Sequence, residues 1–211
     1  MKDLYLVGAG GCGREVLNMI LDMHAEQGPK WNIKGFLDDT EDLLKGKACD
    51  YPVVGTIRDY APAPNDVLLM CIASPQAKRK LVPMLKARGA VFESFVSPWA
   101  YMGRYNQIGE GAVVYGGVTM SVNITIGSFV TLLPCGFGHD VVVGDYCTIS
   151  GNCGLLGYVK VGSGVFMGDS ARVAPHVEVG DDAYVGIGSV VVKDVRAGEK
   201  VFGNPAREIG I

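Results

Sequence analysis

The stretch YVKVGSGVFMGDSARVAPHVEVGDDAYVGIGSVVV, residues 158–192, repeats every six residues. Counting from Val161, each sixth position is large and apolar: Met167, Val173, Val179, Val185 and Val191. A second ladder runs four residues behind and is small or β-branched, through Val165, Ala171, Val177, Ala183 and Ser189. Working back along the chain, the first ladder extends through Leu155, Ile149 and Val143 to Ile108, with a single step of five between Leu132 and Phe137. Fifteen apolar positions in a chain that is 48% apolar would arise by chance roughly once in 10⁵ trials at a fixed phase. Glycine often follows the large residue, as at Gly109, Gly127, Gly144, Gly162 and Gly180, where a recurring corner needs unusual backbone angles. A six-residue period with one large and one small inward position predicts a parallel β-helix. Three hexapeptides close a triangular coil, so about five coils are expected up to Val195, with the tail from Arg196 leaving the ladder.

Residues 1–95 read differently. LYLVG, ending at Gly8, is a buried strand followed by GAGGCG, in which Gly8, Gly10 and Gly13 match G-x-G-x-x-G. Apolar residues at helical spacing follow from Arg14 to His24. Free N–H groups at such a helix start suit a diphosphate. A second strand, IKGFLDD, ends in Asp38 and Asp39, where a carboxylate can accept from a ribose or a base. Further strands over YPVVG and DVLLMCIA, a helix over 75–88 and a closing segment AVFESFV complete a small α/β unit. This is half of a doubly wound fold, which suits a nucleoside diphosphate better than a nicotinamide dinucleotide. The expected division is a Rossmann-like unit over 1–95 and a β-helix with its tail over 96–211, with Pro98 and Trp99 docking the two.

A net charge of −3 argues against a nucleic-acid surface, and the basic cluster AKRK at 77–80 reads as a solvated helix face. No apolar run is long enough to span a bilayer, and a cytoplasmic location is expected. Cys147 and Cys153 lie on the small-residue ladder, and Cys135 with His139 is too little to hold zinc. Of three histidines, His24 falls at a helix end, where its charge is favoured, and His176 follows Pro175 at a corner. His139 lies just past the five-residue step and is followed by Asp140. An imidazole held by a carboxylate is a competent general base; a turn histidine beside a turn aspartate is the bland alternative.

A glycine-turn α/β unit followed by hexapeptide repeats resembles the bacterial sugar O- and N-acyltransferases of the NeuD/PglD-like family, with the resemblance resting on GAGGCGRE, FLDD, the hexapeptides, GHDVVVGD and GNPAR. It implies a left-handed β-helix, a homotrimer, acetyl-CoA lying between neighbouring β-helices, and a UDP- or dTDP-linked amino sugar on the N-terminal unit. His139 is then the base and Asp140 the residue that raises its basicity. Gly10, Gly11 and Cys12 face the nucleotide phosphates, Asp38 and Asp39 the base or ribose, and Thr148, Asp169 and Ile187 the acetyl-CoA. The implied reaction is acetylation of an amino group; acetylation of a hydroxyl and a non-catalytic binding trimer are the alternatives. Family members commonly carry an asparagine-threonine pair before the histidine and a glutamate beside it; here the stretch is LLPCGFG with Gly138, which remodels the acceptor wall.

Overall fold

The computed structural model describes residues 1–210. The N-terminal unit is a four-stranded parallel sheet built from β1 (Lys2–Val7), β2 (Trp31–Leu37), β3 (Val53–Gly55) and β4 (Asp66–Met70), in the order β3-β2-β1-β4. Helix α1 (Gly11–Gln27) follows β1, and α2 (Pro75–Ala87) follows β4 with Ser74 capping its start. Helix α1 buries Val16, Leu17, Ile20 and Met23, a stripe at helical spacing, against the sheet. Gly13 is required for that packing, because a Cβ there would lie 2.0 Å from the Gly8 carbonyl oxygen.

The segment Ala90–Val96 does not act as one closing strand. Phe92 bridges Leu68 in β4, but β5 (Phe95–Val96) pairs with Val113–Val114 and is already the first rung of the β-helix. Two-residue rungs then stack in parallel into three sheets. One holds Gln107–Ile108 to Glu178–Val179, one holds β5 to Lys200–Phe202, and one holds Tyr101–Met102 to Val190–Val191. Both ladders read from the sequence point inward; only Ile108, at the open end, stays partly exposed. Cys135 and Val141 complete the small ladder across the short step.

Each corner of the prism is closed by a residue with positive φ. One column runs Gly111, Phe129, Tyr146, Gly164, Asp182; another Tyr105, Asn123, Asp140, Tyr158, His176; the third Gly117, Asn152, Ser170, Gly188. The third column is interrupted at Leu133–Cys135, the corner that is one residue short. The five-residue step therefore lies on the corner before the rung Gly136–Phe137, whereas His139 lies on the corner after it.

The tail departs from expectation in its first half. Lys200–Phe202 remains in the ladder, paired with Tyr184–Val185, and only Arg207–Glu208 turns back antiparallel upon it. Docking of the two regions also differs. Trp99 is 42% exposed, and the join is made instead by Tyr115, by an edge-to-face contact of Phe92 on Phe129 at 5.1 Å, and by α2. Lys78, read as solvated, is fully buried; its Nζ reaches the Thr131 Oγ1 at 3.2 Å, the Cys147 carbonyl at 2.8 Å and the Thr148 Oγ1 at 2.9 Å. Arg79 beside it pairs with Asp182 at 2.6 Å. One apolar core runs from Leu4 and Ile20 through Phe95 into the β-helix interior.

Candidate active site

His139 and Asp140 occupy the second and third positions of a four-residue corner. Asp140 has φ 59°, a conformation that aspartate tolerates better than most residues, and it turns the carboxylate back along the chain. Its Oδ2 lies 2.8 Å from the His139 Nδ1. With Nδ1 so engaged, the proton-accepting nitrogen of the neutral ring is Nε2. The imidazole side chain is 52% exposed, so Nε2 is available to a ligand. Cys135, by contrast, is buried in the core, so it and His139 do not converge. His24 does not carry the favoured charge expected of a helix end: burial pulls its pKa down, and its Nε2 accepts the Lys30 N–H at 3.2 Å.

The glycine turn sits at the N-terminus of α1. Gly10 and Gly11 face open space, since a Cβ on either would meet nothing within 4 Å. The N–H groups of this first turn have no carbonyl to bond within the helix. Cys12 stands on the same first turn of α1. Its thiol turns toward the β-helix, 3.3 Å from the Tyr115 hydroxyl, and burial raises its pKa. Only its backbone N–H belongs to the open helix end. Asp38 uses Oδ2 to accept the Ala9 N–H at 2.9 Å and Oδ1 to accept the Thr40 N–H at 2.9 Å, so it braces the glycine turn. Asp39 accepts the Arg58 N–H at 3.0 Å. Each carboxylate keeps lone pairs for a further donor.

Between α1 and the short corner lies a cavity of about 590 Å³, walled by Gly11, Arg14, Glu15, Asn18, Tyr115, Leu133 and Pro134. Arg14 Nε is buried there without a hydrogen-bond partner. The glycine motif was legible, but Arg14, one residue past it in GAGGCGRE, was missed because the reading stopped at the glycines. A buried N–H left unpaired is costly, which marks Arg14 as a group waiting for an acceptor.

Of the residues assigned to acetyl-CoA, Thr148 is corrected. It is 1% exposed, and its hydroxyl donates to the Ala73 carbonyl while accepting from Lys78. It holds α2 on the β-helix and presents no surface to a cofactor. Asp169 and Ile187 stand on corners, Asp169 half-buried and Ile187 at 69% exposure. They line the opposite edge of the same sheet from His139. On that sheet the outward positions Gly136 and Gly154 are bare, and the Arg172 guanidinium lies across Gly154. Among the described residues no group of three or more His, Cys, Asp or Glu side chains could hold a metal, and no helix is long and apolar enough to cross a membrane.

Comparison with known proteins agrees with this layout. Residues 3–85 match the PglD N-terminal domain family. GDP-perosamine N-acetyltransferase of Escherichia coli O157:H7 is 28% identical over 216 aligned residues, spanning 98% of this chain and 96% of that protein. The acetyltransferase domain of PglB from Neisseria gonorrhoeae FA1090, solved with acetyl coenzyme A, superposes with a TM-score of 0.86 at 25% identity, covering 99% of both chains. PerB from Caulobacter crescentus, solved with CoA and GDP-perosamine, gives a TM-score of 0.84 at 25% identity over 100% of this chain and 98% of its own. A glycine-turn α/β unit, a parallel β-helix sharing its core, and full-length similarity to a GDP-perosamine N-acetyltransferase and to solved acetyltransferases support a NeuD/PglD-like sugar acyltransferase.

Proposed function

We propose that the protein transfers the acetyl group of acetyl-CoA to the amino group of a nucleotide-linked amino sugar, with His139 as general base. The observation that carries this is the His139–Asp140 pair, in which a 2.8 Å contact holds Nδ1 and leaves Nε2 facing solvent on a corner. Nε2 takes a proton from the acceptor amine as its nitrogen attacks the thioester carbonyl carbon. The C–S bond then breaks, and the imidazolium returns the proton to the departing sulfur. Asp140 holds the proton on Nδ1 and stabilises the imidazolium while it exists.

The sugar nucleotide is assigned to the N-terminal cavity. Its diphosphate lies against the open N–H groups of Gly10 to Cys12, with Arg14 Nε supplying the donor that has no partner, and Asp38 and Asp39 lie toward the ribose or base. GDP joins UDP and dTDP as a candidate nucleotide, because relatives named above handle GDP-perosamine. The exposed Leu156 and Ile187 suit the pantetheine arm of the donor, and Arg172 suits its phosphates. His139 and the Asp169–Ile187 edge lie one sheet width apart, which supports a donor lying in a cleft between two copies, as a homotrimer would provide.

The test is release of free CoA from acetyl-CoA against a panel of UDP-, dTDP- and GDP-linked amino sugars and their hydroxyl counterparts, with His139→Ala as control. Turnover on an amino sugar that disappears in the variant is the expected result. Turnover confined to hydroxyl acceptors would replace the amine reading, and full activity in His139→Ala would remove the base.

A further inference from the structure

Successive coils align residues eighteen apart, so Gly157 lies beneath His139 and Tyr158 beneath Asp140, as the pairing of Gly136 with Gly154 shows. A Cβ built on Gly157 would stand 2.7 Å from the His139 Cε1, 2.8 Å from Nε2 and 3.2 Å from Nδ1. Three ring atoms at nearly one distance mean that the imidazole lies with its face on the Gly157 α-carbon. Gly157 has no positive φ, so glycine is there for space and not for its backbone freedom. The next residue closes the side. The Tyr158 ring meets the imidazole edge to face, with centroids 5.0 Å apart at 84°, and its N–H donates to the His139 carbonyl at 3.0 Å. His176, one coil further, stacks on Tyr158 at 4.8 Å and 9°. Edge-to-face and stacked rings are preferred aromatic geometries, so the column holds itself in place although it is exposed.

We propose that Gly157 and Tyr158, the latter braced by His176, are positioning residues that orient the His139 ring for catalysis. This rests on the reading of His139 as the base. Asp140 fixes the ring at Nδ1 only, and a ring held at one atom can still swing about that contact. A face seated on Gly157 and a wall at Tyr158 remove the swing, so Nε2 points in one direction. The functional value of such placement is large, since a misplacement of about 1 Å costs on the order of 10²-fold in rate.

Kinetics and histidine NMR on the purified full chain test this with Gly157→Ala, Tyr158→Leu, Tyr158→Phe and His139→Ala, using the acceptor that turns over in the panel. Gly157→Ala is expected to lower kcat by roughly 10- to 100-fold, and Tyr158→Leu by about tenfold, with KM for acetyl-CoA and the melting temperature unchanged. Tyr158→Phe keeps the ring and should restore most of kcat. A second readout needs no acceptor: in ¹⁵N-labelled protein the signal absent from His139→Ala should report a single tautomer with its proton on Nδ1. Gly157→Ala and Tyr158→Leu should broaden or mix it. Equal losses in the Phe and Leu variants, a change confined to KM, or a wild-type tautomer in both Gly157→Ala and Tyr158→Leu would overturn the proposal. Wild-type turnover in His139→Ala would instead overturn the base itself, a separable result.

Discussion

Asp140 illustrates how one residue serves both the backbone and the proposed chemistry: it closes a corner with φ 59° and bonds the imidazole at 2.8 Å. Asp140→Asn keeps the corner but replaces a charged acceptor by an amide. Its kcat should fall, by about tenfold or more, with little change in KM for acetyl-CoA, and steady-state kinetics will show which parameter moves. His139→Ala should cost more, on the order of 10²- to 10⁴-fold, with folding unaffected because the side chain is exposed. The pair was legible in the sequence because its two members are adjacent. Gly157, which seats the ring, was not read, although the eighteen-residue coil length would have placed it there. Lys78 was misread for a different reason: its neighbours Arg79 and Lys80 are charged, and a run of charges gives no sign that one member turns inward.

At the scale of elements, glycine has two distinct uses in the turn before α1. Gly13→Ala drives a methyl into the Gly8 carbonyl, so α1 must lift from β1 and chemical denaturation should show a loss of roughly 1–3 kcal/mol. Gly10→Ala meets nothing within 4 Å and should leave stability nearly unchanged while weakening nucleotide binding in a calorimetric titration. An equal loss of stability in both would mean that the turn is only a packing device. In the β-helix, Val161→Asp buries an unpaired carboxylate at a 3%-exposed rung and should abolish soluble, folded protein. The rungs were readable because a six-residue period with inward side chains leaves a mark on every coil. The end of the ladder was less so: Arg196–Glu199 breaks the apolar pattern, yet Val201 re-enters the core and Lys200–Phe202 still pairs.

Across the whole molecule, the join between the two regions includes one buried amine. Burial pulls the Lys78 pKa down to about 7, with the nearby Cys147 and Cys12 thiols pushing the other way. Both forms can be satisfied: the ammonium donates to all three neighbours, and the neutral amine donates to the Cys147 carbonyl and Thr148 while accepting from Thr131. Since the folded pKa lies below that of a free lysine, the unfolded chain binds the extra proton between about pH 7 and pH 10. Stability contributed by this residue therefore rises with pH from about 7 upward. Relative to Lys78→Met, the wild type should gain on the order of 2 kcal/mol between pH 7 and 9, measured by chemical denaturation. Nothing local in the sequence announced this contact, because it joins residues 53 to 70 positions apart.

That join has a consequence for substrate choice. Tyr115 ties the glycine turn, and Lys78 ties α2, to the β-helix within one continuous core, so the distance from the start of α1 to the short corner is built in. A protein of this kind works as a caliper with its jaws welded. Under the function proposed above, an acceptor anchored by its diphosphate at one jaw offers whichever sugar carbon its own length allows. Shortening the corner at Leu133–Cys135 by one residue then resets the gauge while leaving every rung where it was.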